Sequence, residues 1–314
     1  MKRDGVWVTW TYKQYVEEVQ LVAKAFIKLG LKRSHAVGII GFNAPEWHIS
    51  NIAAVVAGGL GTGIYTTNSP DAVRYVAEHS RANILVLENE DQLRKIESFQ
   101  DDLEHLETVI MFRGEPDPGS DVISWQQLLE VGRGVEDSVL RERLEQQAVN
   151  QPALLVYTSG TTGNPKGVMI SQDSLTWTCR AAQEVYDWRW DMEEGISYLP
   201  LSHVAAQVQS SPHSQSLTIH YLQVIDIYLA AYGGATIWFA DDKALQGTLI
   251  NTLKEVRPTR FLGVPRVWEK IEEKMREIAK QNSGIKRAVA NWAKAAAFEH
   301  HAERMAGRPG QNHF

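Results

Sequence analysis

The chain has 314 residues, is 44% hydrophobic and 22% charged, and carries a formal net charge of −6. That length allows one large or two ordinary domains with ample apolar material for a core, and the mild acidity excludes general electrostatic affinity for nucleic acid. The lone cysteine, Cys179, excludes an internal disulfide and fits a reducing compartment. With no His or Cys near it at ligand spacing, it is expected to be structural.

The elements alternate along the chain. Thr11 can cap a helix with Gln14 as its capping-box partner; Tyr12, Tyr15, Val16, Val19, Val22, Ala23 and Phe26 then recur at helical spacing, and Gly30 stops the run. Ala36 to Gly41 reads as a buried strand, Pro45 to about Ala57 as a helix, and Leu60 to Tyr65 as a second strand. Ser69-Pro70-Asp71 is a helix start, with a cap, a proline in the first turn and an acid. Ile84 to Leu87 and Val109 to Phe112 are further strands, and Gly114 to Ser120 is a surface loop and a candidate sub-domain boundary. The rhythm resumes with a strand over Ala153 to Tyr157 and a helix over Ser174 to Val185. A strand over Ala235 to Phe239, a helix over Leu245 to Val256 and a strand over Arg260 to Val264 follow, then helices over Val267 to Gln281 and Ile285 to Met305. Such alternation predicts an α/β fold of mostly parallel sheets flanked by helices. No apolar stretch reaches the ~18 residues needed to span a bilayer, and Met1 to Val8 is too polar for a signal peptide, so any membrane association is expected to be peripheral.

The densest chemistry lies in Tyr157 to Gly167, "YTSGTTGNPKG". A Walker P-loop started at Gly160 would need glycine where Pro165 stands and Ser or Thr where Gly167 stands, so that reading fails. A G-x-G-x-x-G fingerprint is absent as well. What remains is another phosphate-gripping loop. Gly160, Gly163 and Gly167 let backbone N–H groups approach an anion without a Cβ in the way. The hydroxyls of Thr158, Ser159, Thr161 and Thr162 add donors, Lys166 adds a charge-assisted bond, and Pro165 limits the freedom of the chain beside it.

This loop resembles the signature of the adenylate-forming enzymes, which include acyl-CoA synthetases, luciferases and peptide-synthetase adenylation domains. A second block, "SYLPLSHVAAQ" from Ser197 to Gln207, is similar to the family's Leu-Pro-Leu-x-His motif. A third, Gly234 to Phe239 with Phe261 to Ile271, resembles the strand and helix lining an acyl pocket. With Gly41 to Pro70, the detail is most similar to the bubblegum type of long-chain acyl-CoA synthetase, from about Thr9 to near Lys280. The resemblance implies an incomplete large N-terminal domain of that fold, a partial AMP-binding domain over residues 1–306. It implies that Thr158, Ser159, Gly160, Thr161, Thr162, Gly163, Asn164, Pro165 and Lys166 grip the phosphates of ATP with Mg²⁺, and that His203 sits beside the nucleotide and the acyl carboxylate. Lys166 and His203 are thus the candidate catalytic residues. The implied reaction joins a long-chain fatty acid to AMP and then to coenzyme A. His203 would orient the carboxylate or stabilise charge near it, since a carboxylate nucleophile has no proton for a base to remove. The implied place is the cytoplasm, with room for peripheral association at the endoplasmic reticulum.

The chain departs from the family pattern in several places. The later Tyr-Gly and Thr-Gly-Asp blocks and the C-terminal lid domain with its lysine are absent; "AYGGA" at Ala231 to Ala235 lacks the glutamate. Residues 208–224 interrupt the expected passage from Gln207 into Ile225 as an atypical insert, and 307–314 resemble no family element. The expectation is a truncated or spliced product, or an imperfect gene model, with weak or no ligase activity. The alternative is an inactive nucleotide-binding or regulatory form. Glu299-His300-His301 and His313 fit no metal-ligand spacing, and the Lys/Glu run from Glu269 to Lys280 reads as the outer face of an amphipathic helix. Trp188 and Trp190 flanking Arg189 are expected to be ordinary surface packing.

Overall fold

A computed structural model of the protein describes residues 1–158, 164–202, 224–281 and 284–308. The chain falls into two compact units, Met1–Phe261 and Leu262–Phe314. The first opens with a small antiparallel hairpin, β1 (Lys2–Arg3) and β2 (Val6–Trp7). Helix α1 (Tyr12–Lys28) follows with the expected capping box at Thr11 and Gln14, and Gly30 takes a left-handed φ of 101° after it.

The main sheet is laid down by β3 (Ala36–Ile40), α2 (Pro45–Val56), β4 (Leu60–Ile64), α3 (Pro70–His79), β5 (Ala82–Leu87), α4 (Glu90–Ile96), β6 (Thr108–Met111) and β7 (Ile123–Ser124). Helices α5 (Trp125–Arg133) and α6 (Asp137–Glu145) come next, then β8 (Pro152–Thr158), β9 (Lys166–Ser171) and α7 (Gln172–Val185). The seven strands lie in the order β7-β6-β5-β3-β4-β8-β9. All neighbours are parallel except β8 and β9, which form an antiparallel hairpin. The α/β architecture expected from the alternation is borne out.

Period-two alternation sorts each central strand between two cores. Val37, Ile39, Ile84 and Val86 pack with α1, α2 and α5 through Val22, Phe26, Trp47, Ile49 and Leu128. Ala36, Ile40, Leu85 and Leu87 pack on the other face with α3 and α4 through Val73, Val76, Leu93 and Ile96. Strands covered on both faces read as continuous apolar runs, which is why AVGII and ANILVL are buried throughout. Helices α1 and α5 meet at Gly132, where a Cβ would come within 2.2 Å of the Leu21 carbonyl oxygen. A third cluster joins Leu154, Val156 and Ile170 of the hairpin to Leu175, Cys179 and Ala182 of α7. Cys179 is buried, and burial pushes its thiol up to about 11, as suits a structural residue.

A second, two-stranded parallel sheet pairs β10 (Glu194–Ser197) with β11 (Thr236–Phe239). Between them the described chain has a π-helical turn, Val224–Leu229, continued by Ala230–Gly233. Leu249–Val256 is a helix. The strand expected over Arg260 to Val264 does not form. The run does make a backbone bond from the Arg260 N–H to the Glu194 carbonyl at 3.0 Å. Gly263 and Pro265, residues ill suited to a strand interior, interrupt the run. Trp188 lies half-buried beneath the Arg260 guanidinium, while Trp190 stays exposed beside Tyr232. In the second unit, the described residues form helices over Pro265–Lys280 and Gly284–Met305. The first carries the expected charged face, with Lys274–Glu277 and Arg276–Glu272 ion pairs. Among the described residues no cluster of His, Cys, Asp and Glu could hold a metal, and no helix is long and apolar enough to cross a membrane.

Candidate functional site

The loop expected from sequence to grip an anion connects β8 to β9. Its stems are fixed by antiparallel pairing of Thr158 with Lys166, and of Tyr157 with Gly167. Thr158, Asn164, Pro165 and Lys166 belong to the described stems; Ser159, Gly160, Thr161, Thr162 and Gly163 lie outside the described residues. Lys166 is exposed and has no ion-pair partner among the described residues, so its ammonium is available to an anion. Gly167 is needed for packing: a Cβ there would press on the Tyr157 ring at 3.3 Å.

The stems are also braced from the sheet. The Tyr65 hydroxyl donates to the Tyr157 carbonyl at 3.1 Å, and the Tyr75 hydroxyl donates to the Pro165 carbonyl at 3.1 Å. Tyr157 Oη and His79 Nδ1 share a hydrogen bond of 2.8 Å. Burial pushes the Tyr157 phenol above its ordinary range, so it stays protonated.

His203 lies outside the described residues, but the segment that leads to it is tightly held. Asn43, fully buried after β3, donates through Nδ2 to Ser197 Oγ at 2.7 Å and to the Leu199 carbonyl at 2.9 Å. Its Oδ1 accepts from the Leu201 N–H at 3.0 Å. Ser202 packs so closely on β4 that a Cβ at Gly63 would lie 3.1 Å from its Cα. β4 pairs directly with β8, so the segment ending at Ser202 packs on the strand next to the ascending stem of the loop. The segment ending at Ser202 and the ascending stem of the loop thus lie toward the carboxyl ends of the neighbouring strands β4 and β8, where open α/β sheets place their ligands.

Two cavities adjoin this arrangement. One, of about 300 Å³, is mainly apolar and lined by Trp10, Tyr12, His48, Asp226, Ala230 and Phe239 among others. Burial holds the His48 imidazole down to about 3 and pushes the Asp226 carboxyl up to about 7, against a bond from Ser197 that favours its charge. The other, of about 630 Å³, is polar and lined by Arg3, Phe42, Glu46, Arg113 and Asp241 among others. It opens past the ends of β3 and β6, on either side of β5, near where the chain reverses its direction across the sheet. There Glu88 accepts from the Phe42 N–H at 2.8 Å and from Arg113 at 2.5 Å.

Sequence reasoning missed Asn43, Tyr65, Tyr75 and His79 as supports of the site. They come from loops, a strand exit and a helix far from the motifs they touch, and no spacing rule joins them. Asn43 carried the one usable hint, a polar residue set directly after a fully apolar strand.

A mostly parallel sheet flanked by helices, with the segment ending at Ser202 packed on β4 and the stems of a glycine- and hydroxyl-rich loop on β8 and β9, defines an α/β protein of the kind that binds ligands at the carboxyl ends of its strands. The model of the AMP-binding enzyme family matches residues 2–312, and the chain belongs to that family. Among similar sequences, the long-chain-fatty-acid–CoA ligase ACSBG2 of Xenopus laevis is 46% identical over 98% of this chain and 40% of its own length. ACSBG1 of Rattus norvegicus, also named a long-chain-fatty-acid–CoA ligase, is 45% identical over 95% of this chain and 40% of its own length. The chain therefore spans about two fifths of the length of these relatives. In fold it is similar to the anthranilate CoA ligase AuaEII solved with anthranoyl-AMP, with a TM-score of 0.63 at 21% identity over 80% of this chain and 44% of that one. It is also similar to the A-PCP didomain of the carboxylic acid reductase of Segniliparus rugosus solved with AMP, with a TM-score of 0.66 at 18% identity over 92% of this chain and 41% of that one.

Proposed function

We propose that this chain carries the nucleotide-gripping part of a long-chain fatty acid–CoA ligase. The observation that supports the reading most is the β8–β9 hairpin, whose strands flank the signature sequence and whose exit presents Lys166 exposed and without an ion-pair partner among the described residues. In the first step a fatty carboxylate oxygen attacks the α-phosphorus of ATP; the bond to the bridging oxygen breaks and pyrophosphate leaves. In the second, the thiolate of coenzyme A attacks the acyl carbonyl and AMP leaves.

Both reactants of the first step are anions, so positioning and charge neutralisation dominate over covalent help. Thr158, Asn164 and Lys166, with Ser159, Gly160, Thr161, Thr162, Gly163 and Pro165 of the same loop, would hold the β- and γ-phosphates. His203 would orient the acyl carboxylate. The described donors suit phosphate oxygens, so Thr158 and Lys166 would hold the phosphates to which Mg²⁺ binds. When bound it neutralises charge on the leaving pyrophosphate. Coenzyme A enters this reading as a co-substrate, and the place proposed for the protein is the cytoplasm with peripheral contact at the endoplasmic reticulum. The adenylation domain is proposed to run over residues 1–306, with a sub-domain boundary near 114–120 and an insert over 208–224, nearly all of which lies outside the described residues.

Fatty-acid-dependent ATP–pyrophosphate exchange tests the reading. Exchange that requires a long-chain acid and falls at least tenfold in Lys166→Ala, the loss of one charge-assisted bond of about 1.5–3 kcal/mol, supports it. A folded chain that binds ATP without exchange would instead be a nucleotide-binding or regulatory form.

A further inference from the structure

We infer that Tyr75 and His79, one helical turn apart on α3, are positioning residues that set the two stems of the β8–β9 loop for the phosphates of ATP; this rests on the loop reading above. The geometry is specific. Tyr75 holds the descending stem, with its hydroxyl 3.1 Å from the Pro165 carbonyl oxygen. His79 holds the ascending stem through the 2.8 Å bond to Tyr157. The spacing i, i+4 puts both side chains on one face of the helix, and their rings stack at 5.5 Å with planes 25° apart. The His79 ring in turn meets Tyr157 edge-on at 5.7 Å. The helix itself is well anchored: Ser69 caps it, Pro70 opens it, and Val73, Val76 and Ala77 bury its opposite face against the sheet.

The pairing of β8 with β9 sets the distance between the stems, and the β4–β8 ladder at Leu154 and Leu155 fixes the base of the hairpin. A helix that grips Tyr157 on one stem and Pro165 on the other adds a hold at the loop end, on the side of α3. Pro165 directly precedes Lys166, so holding the Pro165 carbonyl also holds the peptide from which the Lys166 side chain departs. Neither α3 residue need touch nucleotide. Their effect passes through Tyr157 and Pro165 to Thr158 and Lys166. Misplacement of a gripping loop by even a fraction of an ångström weakens charge-assisted bonds, which are the directional part of phosphate recognition.

The test compares ATP with AMP, because a loop that grips the β- and γ-phosphates acts on ATP alone. Calorimetric binding of each nucleotide is measured on the whole chain and on Tyr75→Phe, His79→Leu, His79→Asn and Lys166→Ala. Tyr75→Phe and His79→Leu are each expected to weaken ATP binding about three- to tenfold, the worth of one hydrogen bond. AMP binding should stay within about twofold. His79→Asn keeps a polar atom at the Nδ1 position and is expected to recover most of the loss. Equal losses for ATP and AMP would reveal a merely structural role and overturn the inference. Selective loss in Lys166→Ala with none in Tyr75→Phe and His79→Leu would overturn it while leaving the loop reading intact. No loss in Lys166→Ala, or no ATP binding by the unaltered chain, would overturn the loop reading and this inference together.

Discussion

Replacing Glu193 by Gln perturbs the knot that holds β10, and with it the approach to His203. The Glu193 carboxylate is 1% exposed. It accepts from Arg189 Nε and Arg260 Nη2, both at 3.1 Å, from the Arg189 backbone N–H at 3.2 Å and from Thr259 Oγ1 at 2.5 Å. Burial by itself would raise its pKa, but the bonds from Arg260, Thr259 and Arg189 outweigh burial and hold it down to about 2 from an ordinary 4.5. That fall corresponds to roughly 3 kcal/mol of preference for the charged form. The arginine side chains are 53% and 38% exposed, and solvent screening reduces the expected contribution to about 1–2 kcal/mol. The sign follows from linkage. A depressed carboxylate stabilises fully above the unfolded pKa of about 4.5 and loses that contribution as pH falls toward about 2, with more than half gone by about pH 3. Urea denaturation of the two chains at pH 7 should therefore differ by about 1–2 kcal/mol, and the gap should close as pH is lowered through 4.5 to 3. A gap absent at pH 7, or one that persists unchanged at pH 3, would refute the reasoning.

Gly132→Ala should cost about 2–3 kcal/mol in urea melts: the new Cβ meets the Leu21 carbonyl oxygen at 2.2 Å, and backbone displacement outweighs the gain of about 1 kcal/mol in helix propensity. Asn43→Ala removes three buried hydrogen bonds and should destabilise by about 3 kcal/mol. Fatty-acid-dependent exchange should fall further than stability explains, because the approach to His203 loosens. Asp226, pushed up to about 7 by burial, binds a proton in the folded chain that the unfolded chain has already lost above about pH 4. Stability should decline as pH rises from about 4 to 7, and Asp226→Asn should remove that slope in denaturant titrations across the window.

How much of this was legible in the sequence depends on the range over which each signal acts. The caps at Thr11 and Ser69 and the buried runs at 36–40 and 82–87 are local, and the structure has them where the spacing puts them. Helix α5 was missed although Ser124 and Gln127 form the same capping box as Thr11 and Gln14; a local rule was available and went unused. Strands β7 and β10 are short, and β10 takes its stability from β11, whose residues lie some 40 positions on. The expected strand over Arg260 to Val264 does not form, because Gly263 and Pro265 interrupt a run that its local apolar pattern alone suggests. The loop proposed to grip phosphate stands out in the sequence because its residues are contiguous. Its supports do not, since Tyr65, Tyr75 and His79 reach it only after the sheet has folded.

The strand order also carries information about time. At the middle of the sheet, β3 lies between β4 and β5, all three within residues 36–87, so the centre closes over short stretches of chain. By contrast, β8 reaches β4 only by returning Leu154 to Gly61. Loop-closure entropy then favours a core that assembles first and receives the hairpin afterwards. Pulse-labelled hydrogen exchange during refolding should protect Ala36–Ile40 and Ala82–Leu87 before Pro152–Thr158, and simultaneous protection would count against this order. The segment assigned to grip phosphate would be among the last to commit, docking on a platform whose shape is already settled.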